Sequence, residues 1–419
     1  MRLATLALLA VVLAGPARAF VEAEAFERTV AYLAADEDCT EATTLPGWER
    51  RSVVNPDDGY RVRYSRFGCE AGRHGAILLL PGRGEPAYEY AETALDFIAR
   101  GYGPVYAVDH RGQGLSPRLL ADPHKGHVAR FEDYVEDLEA VVGAVLADLE
   151  TLGAGAEPIL HLTSNSMGGA VAIGYLQRAG EEAPFRSAAL LGAMIHVNYH
   201  GFTGTERTWW NLRLYSETGA LLQARWRCGV ATLWHRDRCE DYALEGPGAR
   251  YREGSRNFRH DDEAVMTQSA ARHAVRTHMW DVFDWSGIAA AEYVPGERWE
   301  GPQLGGATNG WVLEGARFTR EMRREENLAR MVHVPVLLLT GTRDLRAYRP
   351  YPGHRRPPDL SRHREFCETL NAVARAATGR PVCTFRAIEG AFHELYKEAD
   401  RHRDRALDAV DGFFRAQAG

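Results

Sequence analysis

The 419-residue sequence has no Cys-x-x-Cys, no His-Glu-x-x-His and no Gly-x-x-x-x-Gly-Lys. These absences remove the thiolate zinc and redox pairs, the helical metalloprotease pattern and the phosphate loop. The scattered histidines lack ligand spacing, so neither a metal nor a cofactor is expected. Beyond the N-terminus no apolar stretch reaches the ~20 residues that a membrane-spanning helix needs. There is no internal repeat and no low-complexity linker. Positive charge is in deficit, with 50 Lys and Arg against 57 Asp and Glu and a net charge of −7. That balance makes nucleic acid and anionic surfaces poor general partners. With 45% hydrophobic and 26% charged residues, the composition is that of a folding globular chain.

The first nineteen residues, MRLATLALLAVVLAGPARA, hold Arg2, an apolar run from Leu3 to Leu13, the breaker Gly15-Pro16 and the small-residue triplet Ala17-Arg18-Ala19. This is the pattern of a secretory signal peptide cleaved after Ala19. The apolar run is too short to be a membrane anchor, and no cysteine follows it to carry a lipid. Loss of Arg2 and Arg18 would move the formal charge from −7 to −9. Export to the periplasm or beyond also gives meaning to the six cysteines, which read as disulfides in an oxidising compartment. Proximity in sequence suggests Cys39 with Cys69, Cys228 with Cys239, and Cys367 with Cys383.

Short apolar runs stopped by turn residues predict buried strands at 75–80, 105–108 and 334–341 and further strands at 159–163, 188–194 and 382–388. Helical stripes lie between them: Tyr90 to Ile98, Phe131 to Leu149, Gly168 to Arg178, one around Phe366 and Leu370, and a last one with Leu407, Val410 and Phe414. Such alternation predicts an α/β chain with a mainly parallel sheet and helices on both faces. Sites in these sheets sit at the carboxyl ends of strands. Between about 199 and 330 the rhythm breaks into Trp-, Arg- and Gly-rich sequence, read as an inserted cap. The expected organisation is a signal peptide (1–19), a first core part (20–198), the cap (199–330) and a second core part (331–419).

Three strand ends carry a chemistry. Ser166, in "HLTSNSMGGA", stands between a strand and a helix opened by Gly168-Gly169, close to the Gly-x-Ser-x-Gly turn that exposes a nucleophile, with Ser164 in place of the first glycine. Asp344 follows a strand in "TGTRDLR", and His393 lies in "EGAFHEL" before the last helix. Ser, Asp, His in that order is the chain order of an α/β-hydrolase triad. Acyl transfer also needs amide donors for an oxyanion. Met167, after the serine, and Arg83, in "PGRGE" after an early strand, supply candidate backbone N–H groups. His110, Arg111 and His127 lie in "DHRGQGLS" and "GHV", which read as structured loops without an assigned chemical role.

With these residues in view, the sequence resembles the bacterial lysophospholipase and monoacylglycerol lipase branch of the α/β-hydrolases. The resemblance rests on the run from "LLLPGRGEPAYEY" through "AVDHRGQGLSPRLLADPHKGHVARFEDYVEDLEAVV", on "GGATNGWV" and on "GAFHELYKE". It implies an α/β-hydrolase fold with Ser166 as nucleophile, Asp344 as acid, His393 as base, and Arg83 and Met167 as oxyanion donors. The departures are Ser164 and Asn165, where the family usually has Gly and His, and the export signal. The expected function is an exported serine hydrolase cleaving carboxylic esters of single-chain lipids, a lysophospholipase in the first place, acting on membrane-derived lipid at most peripherally. The alternatives are a monoacylglycerol lipase or carboxylesterase, an aminopeptidase of the same fold with acids such as Asp261 and Asp262 holding an amine, and a non-catalytic lipid-binding protein. Trp209, Trp210, Trp280, Trp285 and Trp311 are candidates for an acyl pocket.

Overall fold

A computed structural model describes residues 19–35, 46–123, 125–155, 157–197, 228, 239–240, 267–275, 304–344 and 360–418. The leader up to Arg18, Cys39, Asp261, Asp262, Trp209, Trp210, Trp280, Trp285 and most of the 199–330 block lie outside these residues.

The apolar runs form the centre of an eight-stranded sheet. Its strands are β1 (Trp48–Val54), β2 (Arg61–Phe67), β3 (Ala76–Leu80), β4 (Val105–Asp109), β5 (Leu160–Asn165), β6 (Phe185–Leu191), β7 (Val336–Gly341) and β8 (Cys383–Ile388). Their order in space is β1-β2-β4-β3-β5-β6-β7-β8. From β4 to β8 every pairing is parallel, whereas β1 and β2 are antiparallel additions at one edge. Every residue of β3, β4, β5 and β7 is buried, as expected of parallel strands covered on both faces.

Side-chain alternation divides the core in two. Leu78 and Leu80 pack on one face with helices α3 (Glu132–Thr151), α4 (Met167–Ala179), α5 (Asn309–Glu321) and α6 (Ser361–Thr378). Ile77 and Leu79 pack on the other with α1 (Ala25–Ala34), α2 (Ala91–Ala99) and α7 (Asp400–Ala418). Two described pieces of the middle block join this body. Trp311, Val312, Ala316 and Phe318 of α5 share a cluster with Phe131 and Val135. Arg272 is buried, with its guanidinium on Glu92 and on Asp400, 2.7 Å away.

The sheet is mainly parallel, as expected, but the residues before Gly75 read as a polar stretch with no strand assigned. The structure adds β1 and β2 there. Two of their arginines are paired, Arg51 and Arg66 both reaching Asp148 of α3 at 2.7 and 3.1 Å, whereas Arg50 and Arg61 are exposed.

Two expected disulfides are present, Cys228–Cys239 and Cys367–Cys383, the latter tying α6 to β8. Cys69 is also disulfide-bonded, and its expected partner Cys39 lies outside the described residues.

The start of α4 presses on the sheet at Gly168, where an added Cβ would lie 2.2 Å from the Leu80 carbonyl oxygen and 2.5 Å from that of Pro81. Both obstacles are backbone, so neither can swing away. Gly168→Ala is therefore expected to destabilise the protein by about 1–3 kcal/mol, seen as a lower melting temperature; an unchanged transition would contradict this packing.

Candidate active site

β5 ends at Asn165 and α4 begins at Met167, so Ser166 must reverse the chain alone. It does so at φ 49°, ψ −115°, and is the only non-glycine residue with positive φ among those described. Three backbone bonds hold the turn: Ser166 N–H donates to Leu191 O (2.9 Å), and Ser166 O accepts from Gly169 N–H (2.9 Å) and Met194 N–H (2.8 Å). A strained serine over-determined in this way is the geometry of a nucleophile elbow. Ser164, the departure from glycine, is fully buried on β5. Gly169 lies nearby and is required by Ala193 rather than by Ser164: an added Cβ would come within 2.5 Å of Ala193 Cβ but keep an ordinary 3.5 Å from Ser164 Oγ.

Asp344 lies in the turn after β7, with its N–H on Gly341 O at 3.2 Å. His393 follows β8. The two loops touch because Gly341 leaves room: a Cβ there would sit 2.2 Å from Phe392 O. His393 Nδ1 lies 2.9 Å from Asp344 Oδ2, with both residues buried. An ionised carboxylate only accepts, so Nδ1 is the donor and Nε2 carries the lone pair. The imidazole rests over Gly192, whose absent Cβ would be 3.2 Å from its Cε1. Leu191, one residue earlier, holds the Ser166 amide. The ends of β5, β6, β7 and β8 thus bring Ser166, His393 and Asp344 to one edge of the sheet.

The loop after β3 runs beside the first turn of α4. Met167 opens that helix, where N–H groups have no intrahelical acceptor and the dipole is positive. Arg83 lies in a turn bounded by Gly82 and by Gly84, the latter at φ +73°. Its side chain donates from Nη2 to Gly305 O (2.8 Å) and lies over the Trp311 ring. Trp311, one of the expected pocket tryptophans, is buried in the core.

Sequence reasoning gave no role or partner to three polar residues around this loop. Gln113 Oε1 accepts from Gly84 N–H at 2.7 Å, while its Nε2 lies 3.6 Å from Met167 Sδ. Glu85 and Asn165 are hydrogen-bonded to each other. Gln113 lay inside the "DHRGQGLS" loop and Asn165 beside the serine, but nothing in a linear string pairs them with their partners. The residues left without a role prove to be braces. His110 Nε2 is 3.0 Å from Pro81 O, Arg111 pairs with Asp137 and Asp58, and His127 meets Thr308 Oγ1 at 2.9 Å. Among the described residues no group of three His, Cys, Asp or Glu could hold a metal ion.

Burial pushes two of the histidines, His110 and His161, down to about 4, because the charged imidazolium loses its water. In the unfolded chain they take up protons below about pH 6.5, while in the folded chain they stay neutral until about 4. Their contribution to stability is complete above pH 6.5 and is lost as pH falls toward 4. Asp109 opposes them: burial raises it to about 7, so its contribution declines as pH rises from its ordinary value to about 7. His161→Gln is expected to flatten the fall of melting temperature between pH 6.5 and 4, and parallel curves for variant and wild type would refute this.

Residues 71–232 match the family described as "Serine aminopeptidase, S33". The chain is also 31% identical over 364 residues to lysophospholipase L2 of Escherichia coli (strain K12), covering 85% of each protein. The chain belongs to the lysophospholipase L2 family of α/β-hydrolases. Membership makes this L2-family protein a serine ester hydrolase. A monoacylglycerol lipase of Mycolicibacterium smegmatis is 31% identical to it over 142 residues, 34% of this chain and 45% of that one. In three dimensions the L2-family chain is similar to a soluble variant of Saccharomyces cerevisiae monoglyceride lipase, at TM-score 0.57 and 14% identity over 90% of this chain and 96% of that one. The last similarity carries the fold alone.

Proposed function

We propose that this protein is an exported lysophospholipase that works through a Ser166 acyl-enzyme. The reading is carried by one observation, the strained Ser166 turn set beside the buried Asp344–His393 pair. Ser166 Oγ attacks the ester carbonyl as His393 Nε2 takes its proton. The tetrahedral oxyanion accepts hydrogen bonds from the backbone N–H groups of Arg83 and Met167. Collapse expels the glycerol oxygen of the lysolipid, protonated by His393, and leaves the fatty acyl group on Ser166. Water, deprotonated by His393, then releases the fatty acid and restores the serine. Asp344 holds the imidazole in one tautomer and stabilises its charged form.

Similarity to lysophospholipase L2 over most of the chain supports the lysophospholipid as substrate. The signal-like pattern of the first nineteen residues, together with disulfides at Cys69, Cys228–Cys239 and Cys367–Cys383, supports export. No described helix is long and apolar enough to cross a membrane. We assign residues 199–330 as a cap whose α5 end is anchored in the core.

A second reading, monoacylglycerol lipase, is favoured by the partial similarity to the mycobacterial enzyme. Fatty-acid release by residues 20–419 from lysophosphatidylethanolamine and monoacylglycerol, measured side by side, separates the two. Preference for the lysophospholipid is expected. Preference for monoacylglycerol would transfer the assignment, and release of aminoacyl anilide with neither lipid cleaved would overturn both.

A further inference from the structure

Glu85 lies two residues after Arg83 and is 3% exposed. Its carboxylate turns back under its own loop and accepts the Gly82 N–H at 3.0 Å. It also receives the Asn165 side-chain amide, 3.1 Å from each oxygen, and the Tyr90 hydroxyl. Lys397 Nζ stands 3.7 Å away and is paired with Glu89. These groups belong to three separate parts of the chain. Gly82 flanks Arg83, Asn165 immediately precedes Ser166, and Lys397 lies four residues after His393.

The residue type at each point follows from the space. The chain contains only two lysines, Lys125 and Lys397, among its 50 basic residues. Lys397 is 4% exposed, where a compact point charge between two carboxylates serves better than a planar guanidinium fork. At position 165 the side chain must donate to Glu85 without bringing a second negative charge. Asparagine does so.

We propose that the Glu85 carboxylate is a positioning group that fixes the two oxyanion amides relative to each other, with Asn165 as its essential partner on the serine side. This rests on the reading of Arg83 and Met167 as the oxyanion donors. Catalytic geometry is sensitive to displacement, since a shift of about 1 Å can cost about 100-fold in rate. A carboxylate shared by both sides of the hole removes that freedom. The Lys397 branch extends the same constraint to the histidine loop.

Three variants test it: Glu85→Gln, Asn165→Leu, which keeps size and every charge but deletes the donor, and Asn165→His, which restores a donor. The readouts are the rate of fluorophosphonate labelling, kcat and KM for fatty-acid release, and the melting temperature. Glu85→Gln and Asn165→Leu are each expected to slow labelling and lower kcat by about 10- to 100-fold with KM within about twofold. The double variant should be no worse than the poorer single one, and Asn165→His should recover most of the rate. If Glu85→Gln fails to fold, Asn165→Leu alone decides. Wild-type labelling rates in Asn165→Leu, additive losses, or an effect confined to KM overturn the proposal. Labelling needs no lipid, so a wild-type protein that labels but releases no fatty acid defeats the substrate assignment and leaves the positioning role measurable.

Discussion

Ser166→Gly should abolish turnover and yet make the protein harder to unfold. The activity loss is expected on the order of 10⁶-fold in kcat, the scale for removing a serine nucleophile from an intact triad. The stability gain has a separate origin. A non-glycine residue in a sparsely populated backbone region stores about 1–3 kcal/mol, and glycine relieves it while adding some entropy to the unfolded chain. A net gain of about 1 kcal/mol remains, read as a higher melting temperature or denaturant midpoint. Ser166→Ala, which keeps a Cβ at φ 49°, should lose the same activity without the gain. Equal stability of the two variants would show that the turn carries no strain, and residual turnover above background would displace Ser166 from its proposed role.

The second large effect belongs to Asp344. Asp344→Asn preserves volume and leaves an amide 2.9 Å from His393 Nδ1, but the amide nitrogen can donate where the carboxylate could only accept. The imidazole then favours the wrong tautomer, and kcat is expected to fall on the order of 10⁴-fold. The melting temperature should change far less than the rate. A loss below about tenfold would mean that another group orients His393, and the candidate is His363 on α6. That histidine is buried with Nε2 2.9 Å from Ala193 O.

How much of this was legible in the sequence depended on whether a residue's partner was nearby or distant. Buried strands such as β3 and β7 are continuous apolar runs ended by turn residues, so the parallel sheet could be read directly. Ser166 and Asp344 each follow a buried strand and His393 follows the partly exposed edge strand β8, and their order along these strand ends pointed to one chemistry. β1 and β2 could not be read this way. Arg51 and Arg66 look like solvent-facing charges in "WERRSVV" and "RVRYSRF"; Glu49 of β1 pairs with both, and Asp148, far along on α3, completes the cluster that keeps Arg66 buried and Arg51 partly so. Glu85 and Asn165 failed for the same reason, because a carboxylate and an amide separated by 80 positions show no periodicity. Ser164 departs from the glycine of the elbow, and its burial on β5 could not be read from the string alone.

The convergence of four strand ends has a consequence for when this protein can act. The loop after β3, the elbow after β5 and the histidine after β8 come from opposite ends of the sequence, and β8 occupies the outer edge of the sheet. No contiguous part of the chain contains a working arrangement, and the long-range pairings it needs are the slow ones in folding. A partly made or partly folded chain therefore has no means of cleaving an ester. Turnover becomes an all-or-none report that the last strand has docked, and the cell that makes the enzyme is spared its activity until assembly is complete.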